Sequence, residues 1–299
     1  MTNQKRAYLY ATVTILLWST MASVFKISLK YLDYFQLLFF ASLFSCITLF
    51  IILTFQGKLN LLKKTSKRDL MHSAFLGILN PFLYYLVLFK AYSLLKAQEA
   101  GTLNYIWPII LVLLSVPLLK QRIHWMSIIA ILVSFSGIII ISTEGKVTTL
   151  EFKEPLGVAL AVGSSIFWAL FWIFNLKDQR DEVIKLFMNF VFGTAYVFIA
   201  LMCFSGFNLI GFKGLTGALY IGLFEMGLTY VLWLKALKLS SNTAVVSNLV
   251  YLSPFISLIV IRSVIGEKIL LSTIIGLFLI ICGISVQHLS RKFLNQEKI

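Results

Sequence analysis

The sequence predicts an all-α integral membrane protein in which ten transmembrane helices form two inverted five-helix repeats around a central cavity. Three observations support this fold class: an apolar composition, ten long apolar runs, and residues that recur at a constant spacing in the two halves. Hydrophobic residues make up 59% and charged residues 13% of the 299 residues. Soluble domains have roughly half apolar and a quarter charged residues, so this composition excludes an ordinary soluble protein.

Ten runs of the sequence are long and apolar enough to cross a bilayer as helices. A helix that crosses about 30 Å of hydrocarbon needs about 20 predominantly apolar residues, because it rises about 1.5 Å per residue. The runs leave no segment long enough for a soluble domain, so any function is expected within the membrane. In chain order, the ten predicted spans lie near residues 7–29, 34–55, 70–90, 97–119, 124–142, 155–176, 184–205, 214–235, 241–263 and 269–290.

The basic residues lie at the ends of the spans and predict the orientation of the chain. If the amino terminus is cytoplasmic, 17 of the 26 Lys and Arg residues fall on the cytoplasmic side and nine on the other. Such an excess is typical of cytoplasmic loops, so we expect both termini in the cytoplasm and the protein in the inner, or plasma, membrane. The net charge of +14 does not indicate nucleic-acid binding, which requires basic residues gathered on a solvated face.

A constant spacing relates residues of the two halves. Residues near the fourth span recur 146 positions later near the ninth, and residues of the third span recur 145 positions later in the eighth. Each half holds five spans, an odd number, so the second copy must enter the membrane in the opposite orientation. We therefore predict one repeat over residues 1–146 and a second over 147–299, with a substrate site near the midplane between them. The matched pairs are Tyr105 and Tyr251, Pro108 and Pro254, Gln121 and Glu267, Arg122 and Lys268, Gly137 and Gly283, Gly77 and Gly222, Tyr85 and Tyr230, Lys90 and Lys235, and Ala91 and Ala236.

Two short motifs resemble those of a known family. They are L-W-S-T-M at residues 17–21 and E-A-G-T-L-N-Y-I-W-P at residues 99–108. Together with the ten spans and the repeat, they make the chain resemble the drug/metabolite transporter superfamily in its EamA-type branch, and the motifs are similar to those of bacterial aromatic amino-acid exporters. The resemblance implies a ten-helix bundle whose central cavity is lined by the first, third, fourth, sixth, eighth and ninth spans. The chain departs from the pattern at Gln121, where many EamA-type proteins carry an acidic residue, and at residues 39–45, which lack the frequent Arg.

Glu225 lies about halfway along the eighth span, where a charge is costly. An ionisable residue at a helix centre costs about 2.5 to 3.5 kcal/mol on insertion scales and normally faces a cavity or a partner. We expect a cavity carboxylate that binds a substrate ammonium or takes up a proton. The alternative is a protonated Glu225 that is hydrogen-bonded to a neighbouring helix. At the 145-residue spacing Glu225 corresponds to Asn80, and the dipeptide of Asn80 and Pro81 predicts a break in the third span.

The start of the fourth span carries three further candidates. Glu99 lies about one turn inside the outer end, and we expect it either at the mouth of the cavity or in a surface ion pair with Lys96. Asn104 and Trp107 share one face of the helix, where an amide beside an indole can orient an amino acid and stack on its side chain. Asn104 can equally hold two helices together, so both interpretations stay open.

Aromatic residues and two prolines complete the predicted site. Trp18 and Trp168 lie too deep for the interfacial belts in which Trp and Tyr are common, so they are expected to line the cavity or to pack between helices. Pro108 and Pro254 occupy equivalent positions, and proline removes a backbone hydrogen bond and kinks a helix. We interpret them as gating residues or, alternatively, as fixed bends. The predicted aromatic binding residues are Trp18, Tyr84, Trp107, Trp168, Trp172 and Tyr251.

These observations predict a secondary transporter that exports a small amphipathic metabolite by alternating access, with an aromatic or other amphipathic amino acid as the expected substrate. Two alternatives stay open: a multidrug or nucleobase-type metabolite transporter, and a membrane scaffold subunit without flux. Enzyme activity is not expected, because the sequence has no HExxH or GxSxG motif and no nucleotide-binding loop. We expect a small-molecule substrate and the lipid bilayer as partners, a monomer, and no nucleic acid, metal or cofactor. Proton coupling is left open.

Overall fold

The structure of the chain, a computed structural model, describes residues 2–119, 125–147, 153–175, 177–207, 211–240, 246 and 249–296. Gln121 and Arg122, which belong to the predicted repeat, lie outside these residues. The described chain folds into helices, and no strand occurs in it. The helices are α1 (Asn3–Ser28), α2 (Tyr34–Phe55), α3 (Leu59–Leu62), α4 (Lys67–Gly77), α5 (Tyr84–Leu94), α6 (Ala97–Asn104), α7 (Trp107–Leu119), α8 (Trp125–Ser142), α9 (Pro155–Asn175), α10 (Glu182–Phe204), α11 (Phe212–Phe224), α12 (Leu228–Leu239), α13 (Ser253–Val264) and α14 (Leu271–Gln296), with a π-helical turn (Ile78–Leu83) between α4 and α5 and a 3-10 turn (Leu249–Leu252) before α13.

Seven helical segments of the described chain are long and apolar enough to cross a membrane, and three shorter segments are apolar as well. Each coincides with one of the ten runs that the sequence predicts, so the helical class is confirmed for the described chain, and the apolar segments agree with a membrane protein. The number of helices that cross and the inverted orientation of the halves stay predictions. The seven long segments are Asn3–Ser28, Tyr34–Phe55, Lys67–Leu94, Ala97–Leu118, Pro155–Asn175, Glu182–Phe204 and Phe212–Leu239, and the shorter ones are Ile128–Ser142, Leu249–Val264 and Leu271–Val286.

Two aspartates start corresponding helices of the two halves. Asp33 caps α2, because its Oδ1 accepts hydrogen bonds of 2.8 and 3.1 Å from the second and third backbone N–H groups after it. Asp181 caps α10 in the same way, at 3.0 and 3.3 Å. These N–H groups have no partner within their own helix. The second oxygen of Asp33 accepts a hydrogen bond from Ser205 after α10, and that of Asp181 accepts one from Lys58 after α2, both at 2.7 Å.

The main helix pairs cross between the two halves. α2 packs on α10 and α8 packs on α14, which are corresponding helices. α1 packs on α12 and α13, and α9 packs on α5 and α7. α11 packs on α2, and α4 packs on α10. This set of pairs is unchanged when each helix is replaced by its counterpart in the other half.

Glycines allow two of these helix pairs to approach closely. A Cβ atom at Gly77 in α4 would lie 2.6 Å from the backbone oxygen of Asn189 in α10. A Cβ atom at Gly222 in α11 would lie 2.5 Å from the backbone oxygen of Ala41 in α2. Small residues at such contacts let the backbones of membrane helices come together. The two glycines are one of the matched pairs, so corresponding helix contacts depend on the same residue type.

Charged residues join the loops at the two ends of the bundle. At one end of α9, here called the Asp178 end, Arg180 Nη2 donates hydrogen bonds of 2.6 Å to Asp178 in the same loop and of 2.8 Å to Ser73 of α4. At the opposite end of α9, here called the Glu144 end, Glu144 forms ion pairs of 2.6 Å with both Lys96 and Lys153. Hydrogen bonds from Lys153 and from Lys96 hold the pKa of Glu144 below its usual value. Which end faces the cytoplasm stays a prediction.

Candidate functional site

A cavity of about 370 Å³ lies between the helices of the bundle and is called the central cavity below. Its lining residues come from the first, third, fourth, sixth, eighth and ninth predicted spans, which are the spans that the resemblance implies. The lining belongs to α1, α5, α6, α7, α9, α12, α13 and the 3-10 turn before α13, with Tyr105 between α6 and α7 and Glu225 between α11 and α12. None of the described residues that line the cavity belongs to α2, α8, α10 or α14.

Five of the six tryptophans of the chain line the central cavity. The chain has six tryptophans, and Trp125, which is 63% exposed, is the one that does not line the cavity. Aromatic rings offer a large apolar surface together with a negative face that attracts cations. The cavity-lining tryptophans are Trp18, Trp107, Trp168, Trp172 and Trp233.

Trp168 belongs to an aromatic layer at the cavity wall. Its ring centroid lies 4.7 Å from that of Tyr84 and 5.9 Å from that of Tyr230, and the Tyr230 ring is nearly parallel to it at 27°. A separate pair is formed by Trp18 and Trp233, whose centroids lie 5.6 Å apart. The aromatic wall therefore combines rings from both halves of the chain.

Most of the predicted binding residues line the central cavity, and two do not. Asn80 is fully buried and lies outside the lining. Glu99 faces a different cavity, described below. Of the two predicted gating residues, Pro254 is part of the lining and Pro108 is not. The predicted binding residues in the lining are Trp18, Tyr84, Asn104, Trp107, Trp168, Trp172, Glu225 and Tyr251.

Glu99 belongs to a second, smaller cavity of about 170 Å³ at the Glu144 end. Its carboxylate lies 3.7 Å from Lys96 Nζ and accepts a hydrogen bond of 3.4 Å from the Lys96 backbone N–H. Glu144 lines the same cavity and also pairs with Lys96. The expected ion pair of Glu99 with Lys96 is thus present, but the expected place at the mouth of the central cavity is not, because Glu99 lies on the face of α6 that is turned toward Lys96 and Glu144.

The predicted break at Asn80 and Pro81 is present in the third span. The backbone leaves the helical conformation at Asn80, with φ −150° and ψ 121°, and the peptide bond between Asn80 and Pro81 is cis. Gly193 in α10 makes room for the proline ring, because a Cβ atom at this position would collide with it. The half-helices on the two sides of the break are α4 and α5.

The eighth span is also broken, at Glu225. α11 ends at Phe224 and α12 begins at Leu228, so three residues do not continue the helix. Ser45 of α2 donates a hydrogen bond of 3.0 Å to the carbonyl of Met226 within the break. In transporters, broken helices of this kind bring the groups at the break to a binding site. Asn80 and Glu225, which correspond at the 145-residue spacing, therefore both lie at a break in a membrane helix.

A chain of hydrogen bonds connects the two breaks. Asn80 donates from Nδ2 to the Tyr230 hydroxyl at 3.3 Å, and the hydroxyls of Tyr230 and Tyr85 lie 3.1 Å apart. Tyr85 donates to Glu225 Oε1 at 3.0 Å. The two tyrosines also correspond at the 145-residue spacing. Each half therefore contributes one tyrosine, and that tyrosine bonds the polar residue at the break of the other half.

Glu225 is the one charged residue among the described residues that line the central cavity. It is 9% exposed. Its Oε1 is bonded to Tyr85, whereas Oε2 is buried and has no hydrogen-bond partner in the described chain. A buried carboxylate oxygen without a partner is costly, so Oε2 can accept either a proton or the ammonium group of a solute. Both interpretations drawn from the sequence agree with this geometry, since Glu225 faces a cavity and is bonded to a neighbouring helix.

Asn104 lines the central cavity, but its polar groups are bonded to neighbouring helices. Its Nδ2 donates to Ser164 Oγ at 2.8 Å, and its Oδ1 accepts from the Tyr84 hydroxyl at 3.3 Å. Its backbone carbonyl accepts a hydrogen bond of 2.9 Å from Ser165. These bonds join α6 to α5 and α9. The helix-joining role that the sequence left open is therefore present.

Both predicted gating prolines stand in the first turn of a helix. Pro108 is the second residue of α7, and Pro254 is the second residue of α13. The fourth and ninth spans are therefore interrupted just before each proline, whereas the sequence predicts a kink within a continuous helix. Proline fits this place because the first N–H groups of a helix have no helical partner.

Hydrogen bonds join the start of α6 to the loop before α14 at the Glu144 end. Glu267 Oε1 accepts a hydrogen bond of 3.0 Å from the backbone N–H of Ala97. Gln98, which lines the central cavity, donates from Nε2 to the carbonyl of Lys268 and accepts from the backbone N–H of Leu270, both at 2.9 Å. Glu267 of the second half thus caps α6 of the first half and joins the two halves.

Several residues of the site have no role predicted from the sequence. Two of them are Tyr85 and Tyr230, and their pairing at the 145-residue spacing is the signal that could have identified them. Gly227 in the break and the correspondence of Glu225 with Asn80 could likewise have indicated the second break. Trp233 lies near the end of the eighth predicted span, where an interfacial tryptophan is the usual interpretation. In the described chain, no group of three His, Cys, Asp or Glu side chains could hold a metal ion.

Comparison with known proteins identifies the family. The model of the EamA-like transporter family matches residues 5–143 and again residues 155–287. An uncharacterized transporter of Clostridium kluyveri is 27% identical over 98% of this chain and 96% of its own length, and one of Archaeoglobus fulgidus is 26% identical over 93% and 96%. One crystal structure has the same fold, with a TM-score of 0.67 and 20% sequence identity; the alignment covers 95% of this chain and 98% of the chain in that crystal structure. The chain therefore belongs to the EamA-like transporter family.

Proposed function

We propose that the chain is a secondary transporter that exports a small amphipathic metabolite across the inner, or plasma, membrane by alternating access. The observation that carries this proposal is the central cavity, whose described lining combines an aromatic wall with a single carboxylate inside the bundle. Its volume of about 370 Å³ lies at the lower end of the range of about 300 to 1,000 Å³ that is typical of small-molecule sites. We therefore expect a substrate of about the size of an aromatic amino acid.

In this proposal, residues 1–146 and 147–299 are inverted repeats that rock against each other about the central cavity. The helix pairs that cross between the halves support it, as do the breaks at Asn80 and Glu225. Pro108 and Pro254 begin half-helices that we propose as gates. The excess of basic residues at one side supports cytoplasmic termini. We also propose a monomer, because one chain supplies the lining of the central cavity.

The first candidate substrate is an aromatic or other amphipathic amino acid, which the resemblance of the motif at residues 99–108 supports. Its ring would stack on Trp168, and its ammonium group would bind Glu225 and the faces of the aromatic rings. Its carboxylate would depend on neutral donors in the lining, such as the hydroxyl group of Ser253.

The second candidate substrate is an amine without a carboxylate, as a drug-type transporter would carry. The observation that favours it is that no Lys or Arg occurs among the described residues that line the central cavity. Lys26 in α1 is bonded instead to the carbonyls of Tyr92 and Leu95, at 2.8 and 2.5 Å. A substrate carboxylate would therefore lie in the same cavity as Glu225 without a compensating cation, which lowers affinity.

Counterflow in proteoliposomes of the purified chain tests the proposal and separates the two candidates. The matched pairs are tryptophan with tryptamine and phenylalanine with phenethylamine, and adenine represents the nucleobase alternative. If amino acids are the substrates, the amino acid of each pair should exchange at least as well as the amine. If amines are the substrates, exchange of the amine should exceed that of the amino acid by at least about tenfold.

A second series with an imposed pH gradient tests proton coupling. Because weak bases redistribute across a pH gradient without a carrier, coupling is shown by a dependence on the gradient that exceeds the one in protein-free liposomes. The absence of flux for every solute, with the protein correctly folded, would contradict the transporter proposal. That result would favour a membrane scaffold subunit without flux.

A further inference from the structure

The hydrogen-bond chain from Asn80 through Tyr230 and Tyr85 to Glu225 lies mostly behind the wall of the central cavity. Glu225 is the member of the chain that belongs to the lining. Tyr85 is 0% exposed and Tyr230 is 1% exposed. The Tyr230 ring stacks on Trp168, which does line the cavity. The two tyrosines therefore support the wall of the cavity without offering their hydroxyls to a solute.

The donors and acceptors of this chain fit one direction. An ionised carboxylate can only accept hydrogen bonds, so Tyr85 donates to Glu225 Oε1 and its own oxygen is left to accept from Tyr230. The oxygen of Tyr230 then accepts from the amide of Asn80, which can donate. In this order the Tyr230 proton is donated to Tyr85 and the Tyr85 proton to Glu225, so each hydroxyl is polarised toward the carboxylate. Oε2 of Glu225 is left without a partner in the described chain.

We propose that Tyr85 and Tyr230 are positioning residues for substrate recognition, which hold Oε1 of Glu225 and leave Oε2 to bind the ammonium group of a solute in the central cavity. This inference rests on the proposed function and deepens it, because it assigns the ammonium site to one oxygen of one carboxylate. A glutamate side chain that must be ordered by its ligand loses affinity. The bond from Tyr85 orders Glu225 before the solute arrives, and Tyr230 with Asn80 orders Tyr85.

The same chain links the two halves. Asn80 stands at the break between α4 and α5, and Glu225 stands at the break between α11 and α12. A displacement of either break would move the tyrosine of the other half and turn the carboxylate. Binding of an ammonium group at Oε2 and the relative position of the two broken spans are therefore coupled through two tyrosine hydroxyls.

The test compares the affinities of the purified chain for a cation and for a neutral solute of the same shape. Phenethylamine and 2-phenylethanol share a ring and a two-carbon chain but carry an ammonium and a hydroxyl group respectively. Calorimetric titration gives the affinity for each solute. Tyr85→Phe is expected to weaken phenethylamine binding by about tenfold and to leave 2-phenylethanol binding nearly unchanged. Tyr230→Phe is expected to have the same selectivity with a smaller loss, because it acts through Tyr85.

Tyr220→Phe is the matched control. Tyr220 lies in α11, its hydroxyl is 3.1 Å from Thr20 Oγ1, and it is not among the residues that line the central cavity. Removing its hydroxyl should therefore change neither affinity. The Glu225→Gln background gives a second, independent measurement, because there Tyr85→Phe should cause little further loss of phenethylamine affinity.

Three results overturn the inference. The first is that Tyr85→Phe weakens both solutes by the same factor, as a general loss of packing would. The second is that its effect on phenethylamine is as large in the Glu225→Gln background as in the wild type. The third is that the wild type binds phenethylamine and both tyrosine variants bind it equally well, which leaves the proposed function standing. A folded wild type that binds neither solute contradicts the proposed function as well.

Discussion

The breaks in the third and eighth spans share a framework and differ in their chemistry. The first lies where the third span packs on α10, and the second lies where the eighth span packs on α2. Each offers a polar side chain to a tyrosine of the other half. The first carries the neutral amide of Asn80, whereas the second carries the carboxylate of Glu225, and of these two residues Glu225 lines the central cavity. The comparison shows how two similar halves can build one charged site: the packing is duplicated and the charge is not.

Glu225→Gln makes both breaks neutral, and we expect the largest effect from it. Loss of the ammonium partner should lower the counterflow of an amine such as tryptamine by at least about tenfold. Any dependence of flux on a pH gradient that arises from Glu225 should also disappear. Glu182→Gln is the control, since Glu182 lies in the first turn of α10 and outside the lining of the cavity. Full activity of Glu225→Gln with an unchanged pH profile would rule out this role for the carboxylate.

Alanine at Gly77 and at Gly222 tests the duplicated packing. The added methyl group would meet backbone atoms of α10 or α2, so each substitution should lower the free energy of unfolding by about 1 to 3 kcal/mol. The losses should be similar in the two halves, as measured by unfolding in detergent. Gly163→Ala in α9 is the control, because nothing lies within 4 Å of its Cβ position and alanine favours a helix. Clearly unequal losses at Gly77 and Gly222 would show that the two halves do not share this packing.

Glu144→Gln tests whether a carboxylate outside the central cavity matters, and we expect the smallest effect. The Lys153 side chain that pairs with Glu144 is 66% exposed, so the variant should lose about 0.2 to 1 kcal/mol of stability and transport amines normally. Hydrogen bonds from Lys153 and Lys96 lower the pKa of Glu144 below 4.5. Its stabilisation is therefore present above the unfolded pKa and is lost as the pH falls through the lowered folded value.

Thermal unfolding of Glu144→Gln and the wild type at neutral and at acidic pH measures this difference. The two proteins should differ slightly at neutral pH and converge in acid. A difference that grows as the pH falls would contradict the assignment, and a loss of amine counterflow would show that charge outside the central cavity also governs transport.

The apolar runs predict where the described helices lie, because a membrane helix must satisfy its own backbone and offer apolar side chains to lipid along its length. The 145-residue spacing likewise pairs Asn80 with Glu225 and Tyr85 with Tyr230. The spacing cannot show that the hydrogen bonds cross between the halves, because that depends on how the two broken spans approach each other. Most of the residues that line the cavity could therefore be predicted from the sequence, whereas the hydrogen-bond network between the two breaks could not.

Glu99 and Pro108 show where the pattern within one span fails. Their predicted places assume that the fourth span is a single helix with one continuous face. In the structure α6 ends at Asn104 and α7 begins at Trp107, so the orientation of one half-helix does not fix that of the other. Glu99 belongs to the same half-helix as Asn104, but five positions at about 100° each place the two side chains on faces about 140° apart. Glu99 therefore faces the second cavity at the Glu144 end, whereas Asn104 lines the central one.

Helix α8 can meet its principal partner only after α14 has been synthesised. It packs chiefly on α14, the last described helix, and a Cβ atom at Gly137 in α8 would lie 2.6 Å from the backbone oxygen of Gly276 in α14. Chains generally fold from the amino terminus as they are made, so the glycine face of α8 first meets lipid. The first half therefore lacks the main packing partner of α8. In a nascent chain that stops before α14, the face of α8 around Gly137 stays open to any other helix with a matching surface.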